Sequence, residues 1–441
     1  MSEELLDAAR AAVRMALRHG AQDAAVAASR ARHVELSWRD GRVETASEAT
    51  TRGLGLDLYV DGRYASVSTS DLRPEALERL VVDGVALTRA LAPDPFRVLP
   101  DPALYAGRAD VDLELADPDY DRLDAVARRG AAAAVEEAAR SVPGKERILS
   151  VSASVGDTSA ERVLVTSNGF EGARRGTDHG ISAQVSVADP DGRRPEDWDA
   201  ATARFLRDLP DPADIGRGAA ERALSRVGSE KGESAVTPLV VDARAAGRLV
   251  GALFGALSGA SLQQKRSFLE GKLGERIGSE WLDVKDDPLV VRGLGSRLWD
   301  GEGIAARSFP VLERGVLRSY YVDTYYGRKL GMAPTTSRVS NLAWRLGPHG
   351  RDGLLSDMGD GLLVTGFLGG NSNSTTGDFS LGVQGFRVVG GRIAGPVGEM
   401  NASGNLRDLW NQLVGVGNDP YRYSAMRTPS LHFTGVQIAG R

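Results

Sequence analysis

Residues 245–259, AAGRLVGALFGALSG, place Gly247, Gly251, Gly255 and Gly259 four positions apart, and Leu249, Leu253 and Leu257 repeat the same interval. A four-residue step keeps side chains on nearly one face of an α-helix. The spacing therefore predicts a rod with a bare glycine ridge on one side and a leucine ridge behind it. Each interior glycine costs roughly 1 kcal/mol of helix propensity relative to alanine. A run of them demands compensation, and the expectation is close backbone approach by another part of the molecule along the ridge. The helix carries no metal ligand: no His or Glu occurs between Asp242 and Gln264.

A chain of 441 residues exceeds one ordinary compact core, so two domains are expected. With 42% hydrophobic and 26% charged residues it reads as an ordinary globular protein. A net charge of -5 and a pI near 5.7 leave no electrostatic footprint for nucleic acid or an anionic membrane. Arginine outnumbers lysine, but the arginines are scattered among acids and read as genomic composition rather than as a phosphate site. The absence of cysteine excludes disulfides, thiolate metal sites, cysteine nucleophiles and iron-sulfur clusters together. The first segment, MSEELLDAARAAVRMALRHG, starts acidic and carries Leu6, Ala9, Val13 and Leu17 on one stripe, so it reads as a folded helix and not a secretion signal. No uninterrupted apolar run approaches the ~20 residues of a membrane span. The expected location is the cytoplasm.

Short alternating segments follow the first helix. Val34, Leu36 and Trp38 lead to Asp40-Gly41, and Leu54, Leu56, Leu58 and Val60 lead to Asp61-Gly62, so each reads as a strand entering a tight hairpin. A helix is expected from about Arg73, capped by Asp71, with Leu77, Leu80, Leu87 and Leu91 as its buried stripe. The proline- and aspartate-rich stretch from Leu91 to Pro118 reads as a connection. Beyond it the order recurs: an alanine-rich helix from about Tyr120 to Val142, strands around Ile148 to Val155 and Arg162 to Thr166, a turn at Asn168-Gly169, and a strand from Ile181 to Val187. The expected fold class is α+β. Residues 1–208 form an N-terminal domain of helices and antiparallel strands with a possible internal duplication, 209–234 a linker around a short helix, and 235–441 a C-terminal domain dominated by antiparallel sheet around the glycine-rich helix.

Catalytic chemistry is sparse. The five histidines, His19, His33, His179, His349 and His432, contain no pair at helical ligand spacing. Ser258 lies at the end of the glycine helix without a nucleophile elbow and reads as a cap. The loop GFLGGNSNSTTGDFSLG, residues 366–382, reads either as a backbone-rich surface for an extended ligand or as a flexible hairpin. Glu399 and Asp408 read as solvated carboxylates.

Four further segments carry a resemblance. These are SLQQKRSFLEGKLGERIGSEWLDVKDDP, with Lys265, Ser267, Phe268, Leu273 and Gly274 in order, then DGEGIAARSFPVLERGVLRSYYVDTYYGRKLG, TTGDFSLGVQGF and NASGNLRDLWNQLVGVGNDP. Together with TSNGFEG, from Thr166 to Gly172, they resemble the TldD/PmbA family, in its TldE (PmbA) branch. In that family the TldD branch is a zinc metalloprotease with His-Glu-x-x-x-His on a helix and a downstream cysteine ligand. Laid on this chain, the histidines fall near Gly251 and Ala256 and the glutamate near Ala252, none of which can bind zinc or act as a base.

The resemblance implies a metal-free, non-catalytic subunit, a pseudo-enzyme. Its partner would be a TldD-like catalytic subunit that carries the zinc, in a heterodimeric protease acting on extended or unfolded peptides. Family roles include trimming leader peptides and degrading an unfolded antitoxin. Asn371, Asn373, Thr375, Thr376 and Asp378 are the candidate peptide-cleft or interface residues. Neither nucleic acid nor membrane is an expected partner. Two other readings stay open: an autonomous hydrolase around Ser372, Ser374, Thr375, Thr376 and Asp378, and a non-enzymatic, homodimeric peptide-binding protein.

Overall fold

The computed structural model describes residues 2–441. The first half is α1 (Ser2–Arg18), β1 (Asp23–Arg39), β2 (Arg42–Val60), β3 (Arg63–Thr69) and α2 (Pro74–Arg89), followed by α3 (Ala125–Ala139), β4 (Ile148–Thr166), β5 (Glu171–Val187), β6 (Glu196–Ala203) and α4 (Pro212–Ser225). The order helix, three strands, helix thus occurs twice. All six strands form one antiparallel sheet in the order β3-β2-β1-β4-β5-β6, so the two meanders meet at β1 and β4. That arrangement relates the halves by an approximate twofold.

The hairpins follow from their turn residues. Asp40 and Gly41 have φ of 50° and 76°, and Asp61 and Gly62 have 50° and 70°, the paired positive values that two-residue turns need to match strand twist. Alternation places most of the sheet's apolar residues on one face. There α1 and α2 cover Leu54, Leu56 and Leu58, while α3 and α4 cover Val151, Ala153 and Val185. Leu164, on the opposite face, packs with Phe170 and Trp299 and joins the sheet to the second half of the molecule. The strands expected at 148–155 and 162–166 are a single strand, β4.

Two details of α2 differ from expectation. Its N-cap is Arg73, and Asp71 instead accepts the Arg73 amide at 3.1 Å in the preceding turn. Its buried face is Leu77, Val81, Gly84, Val85 and Thr88, with Leu87 51% exposed. The face that packs follows Leu77, Val81, Gly84 and Thr88, and the neighbouring row of Leu80, Leu87 and Leu91 turns toward solvent. The connection 91–118 is irregular but docked: Tyr325 Oη donates to Asp94 at 2.9 Å, Ala305 N to Leu104 O at 2.9 Å, and Arg292 N to Leu113 O at 2.8 Å.

The second half comprises β7 (Ala235–Val241), α5 (Ala243–Gly255), α6 (Gly259–Gln263), β8 (Val284–Asp286), β9 (Phe309–Glu313), β10 (Val316–Leu317), α7 (Thr324–Leu330) and β11 (Leu342–Trp344). It continues with α8 (Arg351–Met358), β12 (Gly361–Ser372), β13 (Asp378–Val389), β14 (Arg392–Asn405), α9 (Leu406–Asn411), β15 (Leu413–Val416) and β16 (Leu431–Ala439). Its main sheet runs β14-β13-β12-β7-β16-β15. A further pairing of β14 with β16 curls it into a barrel-like form. A small sheet, β10-β9-β8-β11, packs beside it. The molecule is α+β, with an N-terminal helix and antiparallel-sheet region and a β-dominated C-terminal domain.

The glycine rod is two helices. Asp242 caps α5 by accepting the Arg244 amide, the helix ends at Gly255, and Ser258 then caps α6 through the Ser261 amide at 3.2 Å. The leucine ridge is buried as expected, with Leu249, Leu253 and Leu257 at 3%, 1% and 0% exposure. The glycine ridge is not closely approached along its length. A Cβ on Gly259 would lie 2.8 Å from Tyr326 Cβ, but on Gly247 and Gly251 it would meet only Thr428 Oγ1 at 3.9 Å and Met426 Cε at 3.7 Å, and on Gly255 nothing within 4 Å. The break at 256–258 turns Gly259 into the core and leaves the other three on an open face.

Candidate peptide groove on the glycine helix

β12 has β7 as its parallel neighbour only over Leu362–Val364, and from Gly366 to Ser372 it pairs with β13 alone. Its other edge is unpaired there, which is the template an added strand needs. α5 starts directly after β7 and runs beside that edge: Asp242 N donates to Val364 O at 2.9 Å, and Arg248 Nη2 to Gly370 O at 3.3 Å. Arg248, Gly251, Ala252 and Gly255 share one helical face by their spacing. The strip they form lies between the free edge of β12 and the segment bearing Met426 and Thr428. Gly251 and Ala252 are half-buried and Gly255 is exposed.

None of the three positions matched to the protease motif offers a donor atom. Gly251 and Ala252 lie on the strip, and Ala256, fully buried, is the C-cap of α5. A zinc ion does not fit the residues present. Among the described residues, no group of three or more His, Asp or Glu side chains is placed to hold a metal ion. The histidines are engaged elsewhere. His19 meets Glu78 at 3.0 Å, His179 is buried 3.1 Å from Asp117, and burial pushes the pKa of His432, on β16, below its usual range.

The polar loop residues form a self-contained turn. Asn373 Oδ1 accepts the Thr375 amide at 2.9 Å, Thr376 Oγ1 donates to Asp378 at 2.7 Å, and Asn405 Nδ2 donates to the other Asp378 oxygen at 2.9 Å. Those two donors hold the Asp378 carboxyl below the usual carboxylate range. Both oxygens accept, one from the Thr376 hydroxyl and one from the Asn405 amide, so the carboxylate anchors the turn. Asn371 alone of the five candidates lies on the unpaired edge; the other four tie down the turn at its end. Glu399 pairs with Arg193 at 3.5 Å, and Asp408 sits in the first turn of α9.

The perturbed carboxylates lie elsewhere, and sequence reasoning did not find them. A cavity of about 280 Å³ is lined by Asp286, Arg297, Asp300 and Phe309. Asp286, 1% exposed, accepts Tyr321 Oη and Ser340 N, each at 2.8 Å, and also the Ser340 hydroxyl. Asp300 accepts the amides of Glu302 at 2.9 Å and Ile304 at 3.1 Å. Burial raises the pKa of both, and burial, with Asp300 and Asp323 nearby, pushes Glu302 up to about 7. These groups belong to the DGEG segment and its partners. They bind backbone amides and hydroxyls that hold the loops, with Asp300 Oδ2 left buried and unpartnered among the described residues.

With this geometry in view, similarity to known proteins is decisive. The PmbA/TldA metallopeptidase domain 1 profile matches residues 24–88, the central-domain profile 114–227 and the C-terminal-domain profile 234–440. The chain is 32% identical over 429 residues to the metalloprotease PmbA of Escherichia coli O157:H7, covering 96% of this chain and 94% of that one. The chain belongs to the PmbA/TldD family. Its first two profiles fall on the two helix–strand–helix halves of the N-terminal sheet. A PmbA homologue of Haemophilus influenzae is 30% identical, covering 99% and 96% of the two chains. Among solved structures, a proposed modulator of DNA gyrase from Bacteroides thetaiotaomicron superposes with a TM-score of 0.95 at 40% identity, covering 99% and 98%. TldE of Thermococcus kodakarensis, at 21% identity, shares the fold with a TM-score of 0.86 over 98% and 100% of the chains.

Proposed function

We propose that this chain is the zinc-ligand-lacking, non-catalytic subunit of a heterodimeric TldD/TldE-type metalloprotease that processes or degrades extended peptides in the cytoplasm. Zinc and the catalytic base belong to a TldD-like partner. One observation carries the reading. The open strip of α5, where the family motif requires His and Glu, is Gly251 and Ala252, and it runs beside an unpaired strand edge. Such an edge gives affinity through main-chain hydrogen bonds without selecting side chains, and a glycine floor leaves room for whatever side chains the peptide brings. In this scheme residues 235–441 hold the peptide and the N-terminal sheet walls the cavity, with α4, from the expected 209–234 linker, packed onto that sheet as part of its core. Asn371 contacts the peptide, and Asn373, Thr375, Thr376 and Asp378 position the edge.

The test is to purify the chain alone and with a TldD-like protein, then measure zinc content and peptidase activity of each. The expected result is a stable complex that holds zinc and cleaves unfolded peptide, with neither property in this chain alone. Stoichiometric, tightly held zinc together with peptidase activity in the isolated chain overturns the reading. A stable homodimer that ignores the partner supports the peptide-binding alternative instead.

A further inference from the structure

The arginines scattered in sequence are gathered by the fold. On the sheet face opposite α3 and α4, a cavity of about 310 Å³ is bounded by Arg162, Arg174, Arg175, Arg204, Arg297 and Arg338. One acidic residue lines it, Asp178, which meets Arg204 at 3.1 Å. Among the described residues no carboxylate lies within 4.0 Å of Arg162, Arg174, Arg297 or Arg338, although Asp286 and Asp300 act on Arg297 from the neighbouring cavity.

Three features make this costly for an empty site. Arg162 and Arg174 stand directly opposite each other on β4 and β5, a like-charge cross-strand pair. Arg174 stacks 4.8 Å from the Trp299 ring, and burial, reinforced by Arg162, Arg297, Arg338 and Arg204, pushes its pKa down to about 10. Arg297 Nε is buried with no hydrogen-bond partner. A net charge of -5 over the whole chain does not supply the missing counter-charge at this spot. Sequences that carry such a local conflict commonly do so at a functional site.

We propose that this cavity is a binding site for a small oxyanion carrying two or more negative charges, with inorganic phosphate or a phosphate monoester as the best match. Guanidinium forks pair bidentately with phosphate oxygens. Arg204 and Arg297 are held by backbone carbonyls, and the forks of Arg162, Arg174 and Arg338, bonded to no protein acceptor among the described residues, converge to favour a tetrahedral, multiply charged group over one carboxylate. The volume lies at the lower end of the range for small-molecule pockets, which suits such an anion and not a nucleic-acid strand. This site is independent of the peptide groove and does not rest on the protease reading.

The experiment is calorimetric titration of the full chain with inorganic phosphate at constant ionic strength, with chloride and succinate as parallel arms. Saturable phosphate binding is expected, weakened about ten- to hundredfold in Arg174→Gln and in Arg338→Gln and unchanged in Arg14→Gln on α1. Arg338 is exposed and its side chain bonds no other protein group among the described residues, so its variant keeps the test valid if Arg174→Gln fails to fold. Absence of saturable phosphate binding overturns the proposal, as does equal binding by Arg338→Gln and the unaltered chain. Binding of succinate without phosphate overturns the phosphoryl assignment.

Discussion

The groove on α5 and the carboxylate cavity at β8 lie in one domain and are opposites. The groove is open, flanked by a free strand edge, and floored by Gly251, Ala252 and Gly255, which have no functional groups. The cavity gathers Asp286 and Asp300 with Glu302 nearby, all with raised pKa; Asp286 accepts on both oxygens, while Asp300 and Glu302 each accept on one, and Asp300 Oδ2 is buried without a partner among the described residues. The open strip carries no ionisable side chain but Arg248, and the perturbed acids lie away from it. Perturbed pKa values mark functional sites only when the group is also free to act.

The largest expected effect tests the buried side of the groove. Leu253→Ala should cost about 2–5 kcal/mol in urea unfolding, because Leu253 is 1% exposed and its loss leaves a cavity under α5. A near-neutral result breaks the claim that the leucine ridge anchors the groove. Next in size is Gly259→Ala, where the new Cβ would lie 2.8 Å from Tyr326 Cβ. A loss of about 1–3 kcal/mol is expected.

The cavity is probed by pH. Glu302 holds its proton in the folded state to about pH 7, against 4.5 ordinarily, so its contribution to stability is full below about 4.5 and is lost as pH rises through 7. Melting temperature should therefore fall less between pH 5 and pH 7.5 in Glu302→Gln than in the unaltered chain, since Gln keeps an acceptor for Thr324. An unchanged slope removes Glu302 from the account. The smallest effect is a gain: Gly251→Ala should stabilise by up to about 1 kcal/mol, its Cβ meeting only Met426 Cε at 3.7 Å. If it stabilises the fold yet lowers peptidase activity of the assembled complex, the open strip is occupied during catalysis.

Much of the fold was legible. Asp40-Gly41 and Asp61-Gly62 announce their turns because only a few residue types tolerate positive φ, and alternation announces the strands. The cap of α2 sits two residues later than Asp71 suggests, because Asp71 accepts the Arg73 amide in the preceding turn, a local bond that composition cannot distinguish from a cap. The glycine ridge was read as a site of close packing. Spacing reports which residues share a face but not whether that face meets protein or open space.

By itself the sequence determined which chemistry is missing: no cysteine, no His or Glu from 243 to 263, and a leucine stripe that must be buried. These are statements about residue types and helical period, which need no neighbours. Only the tertiary structure decided that the glycine face lies beside the unpaired edge of β12, that Asp378 is locked by Asn405, and that Arg162, Arg174, Arg297 and Arg338 share one cavity. Each of those depends on contacts between residues far apart in the chain, and the arginine cavity forms only where the two halves meet.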